Sequence, residues 1–472
     1  MSADLVAGVD SSTQSTKVEI RDLESGQVVG RASAPHPPTT PPRSEQDPRA
    51  WWQAFETAWA AVGSPRVEAI SVAGQQHGMV VLDAAGEVVR PAKLWNDTES
   101  AADAGWLLQQ LAGGADAWAA AVGSVPVAAF TATKLSWLHR KEPEHWSRLR
   151  HVLLPHDWMT LQMTGDYVSD RGDASGTGYW SPSTGEYRWD ILGIIDGTLD
   201  WSAVVPRVAA PTEVVGEWNG ARVACGTGDN MAAALGLGLE PGVAVLSLGT
   251  SGTAYVVSDR ATNDASGDVA GFADATGRFL PLACTLNATK VTDAIGRVLR
   301  TDHAEFDRLA LAAPAGAGGV TMLPYFDGER TPNLPSSTGL LSGLRSDLSA
   351  EQMARAAVEG VVCGLLEALD AVARLTPVRE VRLVGGGARS AAYRRVVSEL
   401  CQYPVSLADA EEAVATGACV QAAAVAAGSS HGEIAKRWGL GAAIELSPPG
   451  GDAAGVRQRY AALRAETHPS TA

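Results

Sequence analysis

Residues 6–22 read VAGVDSSTQSTKVEIRD, and residues 243–259 read VAVLSLGTSGTAYVVSD. The two stretches align without a gap at an offset of 237 residues (6 to 243), which places Thr13 over Thr250. In each copy an apolar run ends in a small polar turn and then resumes, which is the pattern of a β-hairpin. Such a repeat indicates a duplicated domain, with one turn from each copy facing a shared cleft. A chance likeness between two hairpins is the alternative.

The rest of the chain predicts an α/β protein with more than one domain. At 472 residues it is too long for one ordinary core. Short β-branched runs alternate with alanine-rich helical stretches. The tryptophans lie between Trp51 and Trp218 with one exception, and a glycine-rich stretch at 235–243 follows. We therefore predict two domains with different roles, residues 1–238 and 239–472.

Charge and cysteine content restrict the function classes. Lys and Arg total 37 against 53 Asp and Glu, a net charge of -16 that disfavours general nucleic-acid binding. No apolar run reaches the roughly 18 residues of a membrane helix. Asp4 stands where a signal peptide carries positive charge, so we expect a cytoplasmic protein with no membrane partner. The five cysteines form no Cys-x-x-Cys pair, which predicts neither a disulfide framework nor a zinc site.

The two hairpin turns are candidate phosphate-binding elements. Turns of Ser, Thr and Gly direct backbone N–H groups and hydroxyls toward one point, although such turns also form for local reasons. Asp10, beside the first turn, is a candidate Mg²⁺ ligand through water. A third element, Gly385–Gly387, follows a buried-type strand and lets the backbone approach a ligand, although three glycines alone often mark only a turn. The hairpin candidates include Ser12, Thr13, Lys17, Gly249 and Thr250.

Asp229 is the candidate general base. It follows Gly226 and Gly228 and precedes a helical run, so a ligand can approach its backbone closely. An ordinary helix N-cap is the alternative interpretation. Because two candidate phosphate turns occur in the same chain, a general base for a substrate hydroxyl is the favoured interpretation of Asp229.

Three polar clusters in apolar surroundings suit a polyol. They are Gln75–Gly78, Trp95–Asp97 and Pro155–Trp158, in which amides, His and Asp would bind hydroxyls and indole faces would pack on sugar C–H groups. The alternative is structural: His77 would be hydrogen-bonded within the core or a turn, and the tryptophans would only pack in the core.

The chain resembles the FGGY carbohydrate kinases over about residues 4–465, with the motifs in family order and at family spacing. These motifs are Gly8–Thr13, Ser44–Pro48 with Trp51–Trp52, Gly74–Gly78, Leu94–Asp97, Phe130–Leu135, Leu154–Asp157, Gly228–Asn230, Leu246–Gly252, Gly328–Pro332 and Gly385–Arg389. The sequence differs from many family members at Ser12, Gln76 and Glu99.

The resemblance implies two actin-like, ribonuclease-H-type domains around a catalytic cleft, with the sugar on the first and ATP on the second. Asp229 would be the catalytic base, and Asp10 would be needed for Mg·ATP. The implied sugar-binding residues are Gln76, His77, Trp95, Asn96, Asp97, Asp229 and Asn230. The implied nucleotide-binding residues are Ser12, Thr13, Lys17, Gly249, Thr250, Gly386 and Gly387.

The reaction implied by the resemblance is phosphoryl transfer from ATP, with Mg²⁺, to the 5-hydroxyl of D-xylulose. Another family kinase acting on ribulose, a hexulose, a sugar acid or glycerol is the nearest alternative. A catalytically silent actin-like ATP sensor or sugar-binding regulator is the alternative from another class. The resemblance also suggests a homodimer.

Overall fold

The computed structural model describes residues 4–408, 411–446 and 454–469 of a mixed α/β chain. The strands of the first half are β1 (Leu5–Ser11), β2 (Ser15–Asp22), β3 (Val28–Pro35), β4 (Glu45–Gln46), β5 (Ala69–Gly74), β6 (Val80–Leu82), β7 (Ala92–Lys93), β8 (His151–Leu153), β9 (Val168–Asp170), β10 (Trp180–Ser181), β11 (Glu186–Tyr187), β12 (Arg207–Ala209), β13 (Val214–Trp218), β14 (Ala221–Ala224) and β15 (Thr227–Gly228). Those of the second half are β16 (Val243–Leu248), β17 (Gly252–Val256), β18 (Ala270–Ala273), β19 (Phe279–Thr285), β20 (Thr321–Leu323), β21 (Leu340–Ser342), β22 (Glu380–Val384), β23 (Val405–Ala408) and β24 (Ala443–Leu446).

Helices surround these strands in both halves. The α-helices are α1 (Pro48–Ala61), α2 (Ala101–Gln110), α3 (Gly114–Val122), α4 (Thr131–Lys141), α5 (Pro143–Arg148), α6 (Pro155–Thr164), α7 (Arg171–Ala174), α8 (Trp189–Ile195), α9 (Asp229–Gly236), α10 (Thr289–Leu299), α11 (His303–Ala312), α12 (Ala350–Leu375), α13 (Ala391–Leu400), α14 (Ala413–Ala427), α15 (His431–Arg437) and α16 (Ala454–Thr467). Short 3₁₀ helices span Trp201–Ala203, Ala317–Gly319 and Gly386–Arg389.

The two halves contain seven-stranded sheets with matching topology. The first has the order β13-β14-β5-β1-β2-β3, with β15 also paired to β5, and the second has the order β18-β19-β17-β16-β22-β23-β24. β1 pairs antiparallel with β2 and parallel with β5, and β16 pairs antiparallel with β17 and parallel with β22. The sequence repeat is therefore a structural repeat, and the predicted actin-like fold is confirmed.

The parallel pairings collect the polar segments at one edge of each sheet. β1, β5 and β15 run parallel, so the residues that follow them lie together at their carboxyl ends. These residues include Ser12 and Thr13, Gln76 and His77, and Asp229. In the second sheet β16 and β22 run parallel, and their carboxyl ends carry the second turn and the Gly385–Gly387 run.

Helix α14 joins the two halves. It comes from the second half of the chain, yet Val420 and Ala423 pack in one apolar cluster with Val6 and Ala69 of the first sheet. It also crosses α9, the helix that begins at Asp229, at very short range. The predicted domain boundary at 238/239 falls between α9 and β16. The crossing of α14 over α9 was not predicted, because sequence order does not show against which sheet a helix packs.

Gly417 permits the close approach of α14 to α9. A Cβ at position 417 would collide with the backbone carbonyl of Ala232 in α9. We expect Gly417→Ala to lower the free energy of unfolding by about 1–3 kcal/mol, as overpacking does elsewhere. Urea denaturation followed by far-UV circular dichroism measures this. Gly105→Ala is the control, since Gly105 lies inside exposed α2 with open space around it and alanine favours helix there. Equal midpoints for the Gly417 variant and the wild type would contradict the prediction.

Two composition-based expectations can be compared with the structure. All five cysteines lie in the described residues and are free in this structure. Among the described residues no single helix is long and apolar enough to cross a membrane, and one bent pair, α14 with α15, meets the criteria only when combined.

Candidate active site

A cavity of about 230 Å³ separates Asp229 from the second hairpin. Its first-half lining includes Asp229 and Asn230 at the start of α9. Its second-half lining includes Ser247, Thr253 and Gly385 from the strands and turns predicted to bind phosphate. The candidate base and the candidate phosphate elements therefore face one another across the same space.

Asp229 is the first residue of α9, and Gly228 holds the N-cap position. The ordinary N-cap interpretation is therefore wrong for Asp229. Its Oδ1 accepts hydrogen bonds from the backbone N–H of Asn230 (2.8 Å) and from Asn230 Nδ2 (3.0 Å). Burial, reinforced by the carboxylates of Asp10 and Asp173, raises the pKa of Asp229 from 3.8 to about 7. A carboxyl group with this pKa is suited to accept a proton near neutral pH.

Asp10 is the penultimate residue of β1 and is almost fully buried. Its Oδ2 lies 3.7 Å from Lys17 Nζ, while its buried Oδ1 has no hydrogen-bond partner among the described residues. Burial raises the pKa of Asp10 to about 6, and Lys17 partly opposes this. An orphaned carboxylate oxygen beside a phosphate turn fits a divalent cation, because Mg²⁺ prefers oxygen ligands.

The side chains of the first turn are engaged within the protein. Ser12 Oγ donates to the carbonyl of Ser15 (3.2 Å), and Thr13 Oγ1 donates to Gln75 Oε1 (3.1 Å). Lys17 Nζ forms an ion pair of 2.6 Å with Glu412 Oε2. A phosphate at this turn would have to draw these groups away from their present partners.

The second turn and the glycine run pack directly together. A Cβ at Gly385 would lie 2.7 Å from the carbonyl oxygen of Leu248, and one at Gly387 would lie 2.9 Å from the Leu248 side chain. Thr250 and Gly386 are exposed. The segment after the run is a 3₁₀ turn, and the longer helix α13 begins only at Ala391. These elements together offer an open, backbone-lined surface for an anion.

Gln76 and His77 follow β5 in the first half of the chain, and Gln76 contacts Asn230 of the cavity lining. Gln76 Oε1 accepts from Asn230 Nδ2 (2.8 Å), and Gln76 Nε2 is buried with no hydrogen-bond partner in the described part of the chain. His77 Nδ1 lies 2.8 Å from the carbonyl of Gly176, and its ring packs against Phe130 and Phe272. Burial, helped by nearby Lys134, lowers the pKa of His77 to about 3, so the ring is neutral.

The Trp95–Asp97 segment divides between the site and the interior. Trp95 is 40% exposed and its Nε1 donates to Thr13 Oγ1 (2.9 Å), which places the indole beside the first turn. Asn96 is partly buried, and its Oδ1 accepts no hydrogen bond from any residue that the structure describes. Asp97 is 0% exposed, and its oxygens accept from Lys93 Nζ (3.1 Å) and the backbone of Ser44 (2.9 Å). The prediction that Asp97 binds sugar is wrong, because a carboxylate already surrounded by donors cannot face the cleft.

Glu99 belongs to the same ion-pair group as Asp97. Its carboxylate contacts Lys93 Nζ at 2.5 Å and Arg43 at 3.2 Å. Glu45, Asp97 and Glu99 are spaced as a metal site would be, yet the ammonium group of Lys93 lies among them. This charge arrangement explains how an acidic residue is accommodated at position 99.

Sequence reasoning missed several residues of the site. Glu412 pairs with Lys17, and Glu411 lines the cavity and pairs with Arg31 (2.8 Å). Asp173 raises the pKa of Asp229 although the two are distant in sequence. Only the crossing of α14 beneath the first sheet brings Glu411 and Glu412 here, and no sequence signal marks them.

Two family models match consecutive parts of the chain. The N-terminal domain of the FGGY family of carbohydrate kinases matches residues 5–239, and the C-terminal domain of that family matches residues 244–426. The chain belongs to the FGGY family of carbohydrate kinases. The predicted phosphotransferase class is therefore confirmed.

Relatives of this FGGY kinase include proteins named xylulose kinase. One from Streptomyces coelicolor is 49% identical over 451 residues, covering 93% of this chain and 91% of that protein. The crystal structure of xylulose kinase from Bifidobacterium adolescentis matches with a TM-score of 0.87 at 37% identity, covering 98% and 99% of the two chains. A gluconate kinase structure from Lactobacillus acidophilus gives a TM-score of 0.89 at 21% identity and 99% coverage of both chains, which shows the shared fold alone.

Proposed function

We propose that this FGGY kinase transfers the γ-phosphoryl group of ATP to the 5-hydroxyl of D-xylulose, with Asp229 as general base. The cavity in which Asp229 and Asn230 face Ser247, Thr253 and Gly385 is the observation that carries this proposal. The named activity of the relatives supports the choice of sugar.

Asp229 accepts the proton of the sugar hydroxyl as that oxygen attacks the γ-phosphorus. A new O–P bond forms, the bond from the γ-phosphorus to the bridging oxygen breaks, and the electron pair leaves with ADP. The pKa near 7 leaves Asp229 largely ionised at slightly alkaline pH and able to take the proton. Because phosphoryl transfer needs little covalent work from the protein, alignment and charge neutralisation dominate.

The nucleotide side of the site combines pieces of both hairpins. We assign ATP contacts to Ser12, Thr13, Lys17, Gly249, Thr250, Gly386 and Gly387. Asp10 would hold Mg²⁺ through its Oδ1, which has no hydrogen-bond partner among the described residues. The ion supplies neutralisation of the phosphate charge that develops during transfer.

The sugar side consists of Gln76, His77, Trp95, Asn96 and Asn230. A carbonyl oxygen only accepts hydrogen bonds, so the contact with Gly176 requires the proton of neutral His77 on Nδ1. Nε2 is then left as an acceptor for a sugar hydroxyl. The unpartnered Nε2 amide of Gln76 is a donor on the same side.

A substrate panel tests the proposed sugar. With purified protein, Mg·ATP and an ADP-coupled assay, we expect the highest kcat/KM for D-xylulose, followed by D-ribulose, with glycerol far behind. A site built to pair several hydroxyls rejects a short ligand by orders of magnitude, because buried polar groups stay unpaired. A higher kcat/KM for glycerol or a hexulose would overturn the xylulose assignment and leave the family intact. Absence of turnover on every sugar would favour a silent sensor.

The remaining assignments follow from this activity. We infer that residues 1–238 bind the sugar and residues 239–472 bind ATP. An ATP-consuming sugar kinase is expected in the cytoplasm, where its nucleotide is found. A homodimer stays a prediction.

A further inference from the structure

A cluster of four ionisable side chains lies beneath the sugar side of the site. His156, Asp157 and Asp173 are 0% exposed, and Asp170 is 2% exposed. The sequence grouped His156 and Asp157 with the polyol-binding candidates, but full burial removes both from contact with sugar. Their role must therefore be exerted through other residues.

Three carboxylates surround the imidazole of His156. Its Nδ1 lies 2.9 Å from Asp173 Oδ2, and its Nε2 lies 3.2 Å from Asp157 Oδ1 and 3.6 Å from Asp170 Oδ1. Burial alone would lower the pKa of His156, but the three carboxylates raise it to about 9. The three carboxylates therefore favour the protonated form of the ring, in which Nδ1 is hydrogen-bonded to Asp173 and Nε2 has no hydrogen-bond partner among the described residues.

One branch of the cluster leads to the catalytic base. Asp170 Oδ2 accepts a hydrogen bond of 2.8 Å from Thr227 Oγ1. Thr227 and Gly228 form β15, and Asp229 follows immediately. The Thr227 hydroxyl therefore links the segment that carries Asp229 to the buried carboxylate of Asp170.

A second branch leads to the sugar-side histidine. The carbonyl of Asp173 accepts from the backbone N–H of Gly176 (2.9 Å), and the carbonyl of Gly176 contacts His77 Nδ1 (2.8 Å). The position of Asp173 therefore influences both the tautomer of His77 and the direction in which its free nitrogen points.

The imidazole also lies between the two backbone segments that carry the site. A Cβ at Gly74, just before Gln75, would lie 2.8 Å from His156 Cβ. A Cβ at Gly226, just before Thr227, would lie 2.7 Å from His156 Cδ2. Van der Waals contact on both sides means that a shift of His156 would displace both segments.

We propose that buried His156, with Asp170 and Asp173, acts as a positioning device: Asp170 holds the segment of Asp229 through the Thr227 hydroxyl, and Asp173 orients His77 through its turn with Gly176. These are positioning residues, because their side chains are 0–2% exposed and leave no surface for substrate. The inference rests on the proposed role of Asp229 as base.

Thr227→Val tests the first branch, because valine keeps the shape of threonine and removes only the hydroxyl. We expect kcat to fall about 100-fold, the order of loss that a small misplacement of a catalytic group produces. The KM for ATP should stay within about twofold, since the nucleotide contacts lie elsewhere. Thr227→Ser restores the hydroxyl and should recover most of kcat.

Thr160→Val is the matched control. Thr160 is also 0% exposed, lies on α6 with His156, and its Oγ1 has no hydrogen-bond partner among the described residues. We expect the wild-type kcat for this variant. Thermal unfolding is recorded for every variant, and Thr227→Ala, which leaves room for a water beside Asp170, replaces the valine variant if that protein does not fold.

All rates are measured on whichever sugar the wild type turns over best and are divided by the wild-type rate. If the proposed sugar is wrong, the wild type itself turns over another sugar faster. If the positioning role is wrong, only the ratios of variant to wild-type kcat differ from those expected. Wild-type kcat in the Thr227→Val protein, failure of Thr227→Ser to recover activity, or an equal loss in Thr160→Val would each overturn the proposal.

Discussion

Asp229→Asn is expected to lower kcat for D-xylulose by about 10²–10⁴-fold, the contribution typical of general base catalysis. Asparagine keeps the size of the side chain and still accepts hydrogen bonds from Asn230, but it cannot take the hydroxyl proton. Binding of a nonhydrolysable ATP analogue, measured by calorimetry, should change little. Release of ADP in a coupled assay measures turnover.

The pH dependence gives a second measure of the same group. Since the carboxylate is the active form, the wild-type kcat/KM should be full above the pKa of Asp229, about 7, and fall tenfold per pH unit below it. The folded pKa lies above the unfolded value of 3.8, so ionisation of Asp229 costs stability as pH rises from about 4 to 7. Asp229→Asn should therefore unfold at a higher temperature than the wild type at pH 8, and not at pH 4.

Asp302→Asn is the control for a purely structural role. Asp302 caps α11 by accepting from the backbone N–H of Glu305 (2.9 Å), which asparagine can also do. This variant should turn over like the wild type. Near-normal kcat in Asp229→Asn would instead remove Asp229 from the mechanism and leave it as a residue of the helix start.

Asp10→Asn is expected to lower kcat/KM for Mg·ATP by at least about 100-fold, because charge stabilisation by a bound metal is worth several kcal/mol. An amide oxygen is a weaker ligand for Mg²⁺ than a carboxylate, so the half-saturating Mg²⁺ concentration should rise as well. The measurement is initial rate against Mg²⁺ at fixed ATP and saturating sugar.

Asp22→Asn is the control for Asp10→Asn, since Asp22 ends the same hairpin at its exposed, opposite edge. Its Oδ1 accepts from Ser25, which asparagine preserves. We expect a wild-type Mg²⁺ response from this variant. An unchanged half-saturating Mg²⁺ concentration in Asp10→Asn would show that the orphaned Oδ1 is not a metal-binding group.

The internal repeat made the fold predictable. A polar turn between two apolar runs occurs in both copies, and each copy forms the same hairpin at the same position in its sheet. Two apolar runs joined by a short polar turn are a local signal, so the hairpins can be predicted from 6–22 and 243–259 directly. The location of Asp229 was predictable for a related reason, because a strand end followed by a helix start places a side chain at the sheet edge.

The polar clusters of the first half were less predictable. Residue type indicated hydroxyl recognition for Asp97 and His156 alike, yet both are 0% exposed and bind other protein charges. A carboxylate can bind a ligand or a buried cation equally well. The choice depends on which side chains, such as Lys93, fold against it from elsewhere in the chain.

The family, the duplicated α/β architecture and the chemical types available at the cleft could be predicted from the amino-acid sequence, because they follow from local patterns and motif order. That α14 crosses under the first sheet and brings Glu412 to Lys17 could not be predicted, since the contact joins residues 395 positions apart. Only the tertiary structure shows that burial raises the pKa of Asp229 to about 7. Solvent exclusion and charge proximity are properties of the assembled fold, and no single stretch of sequence contains them.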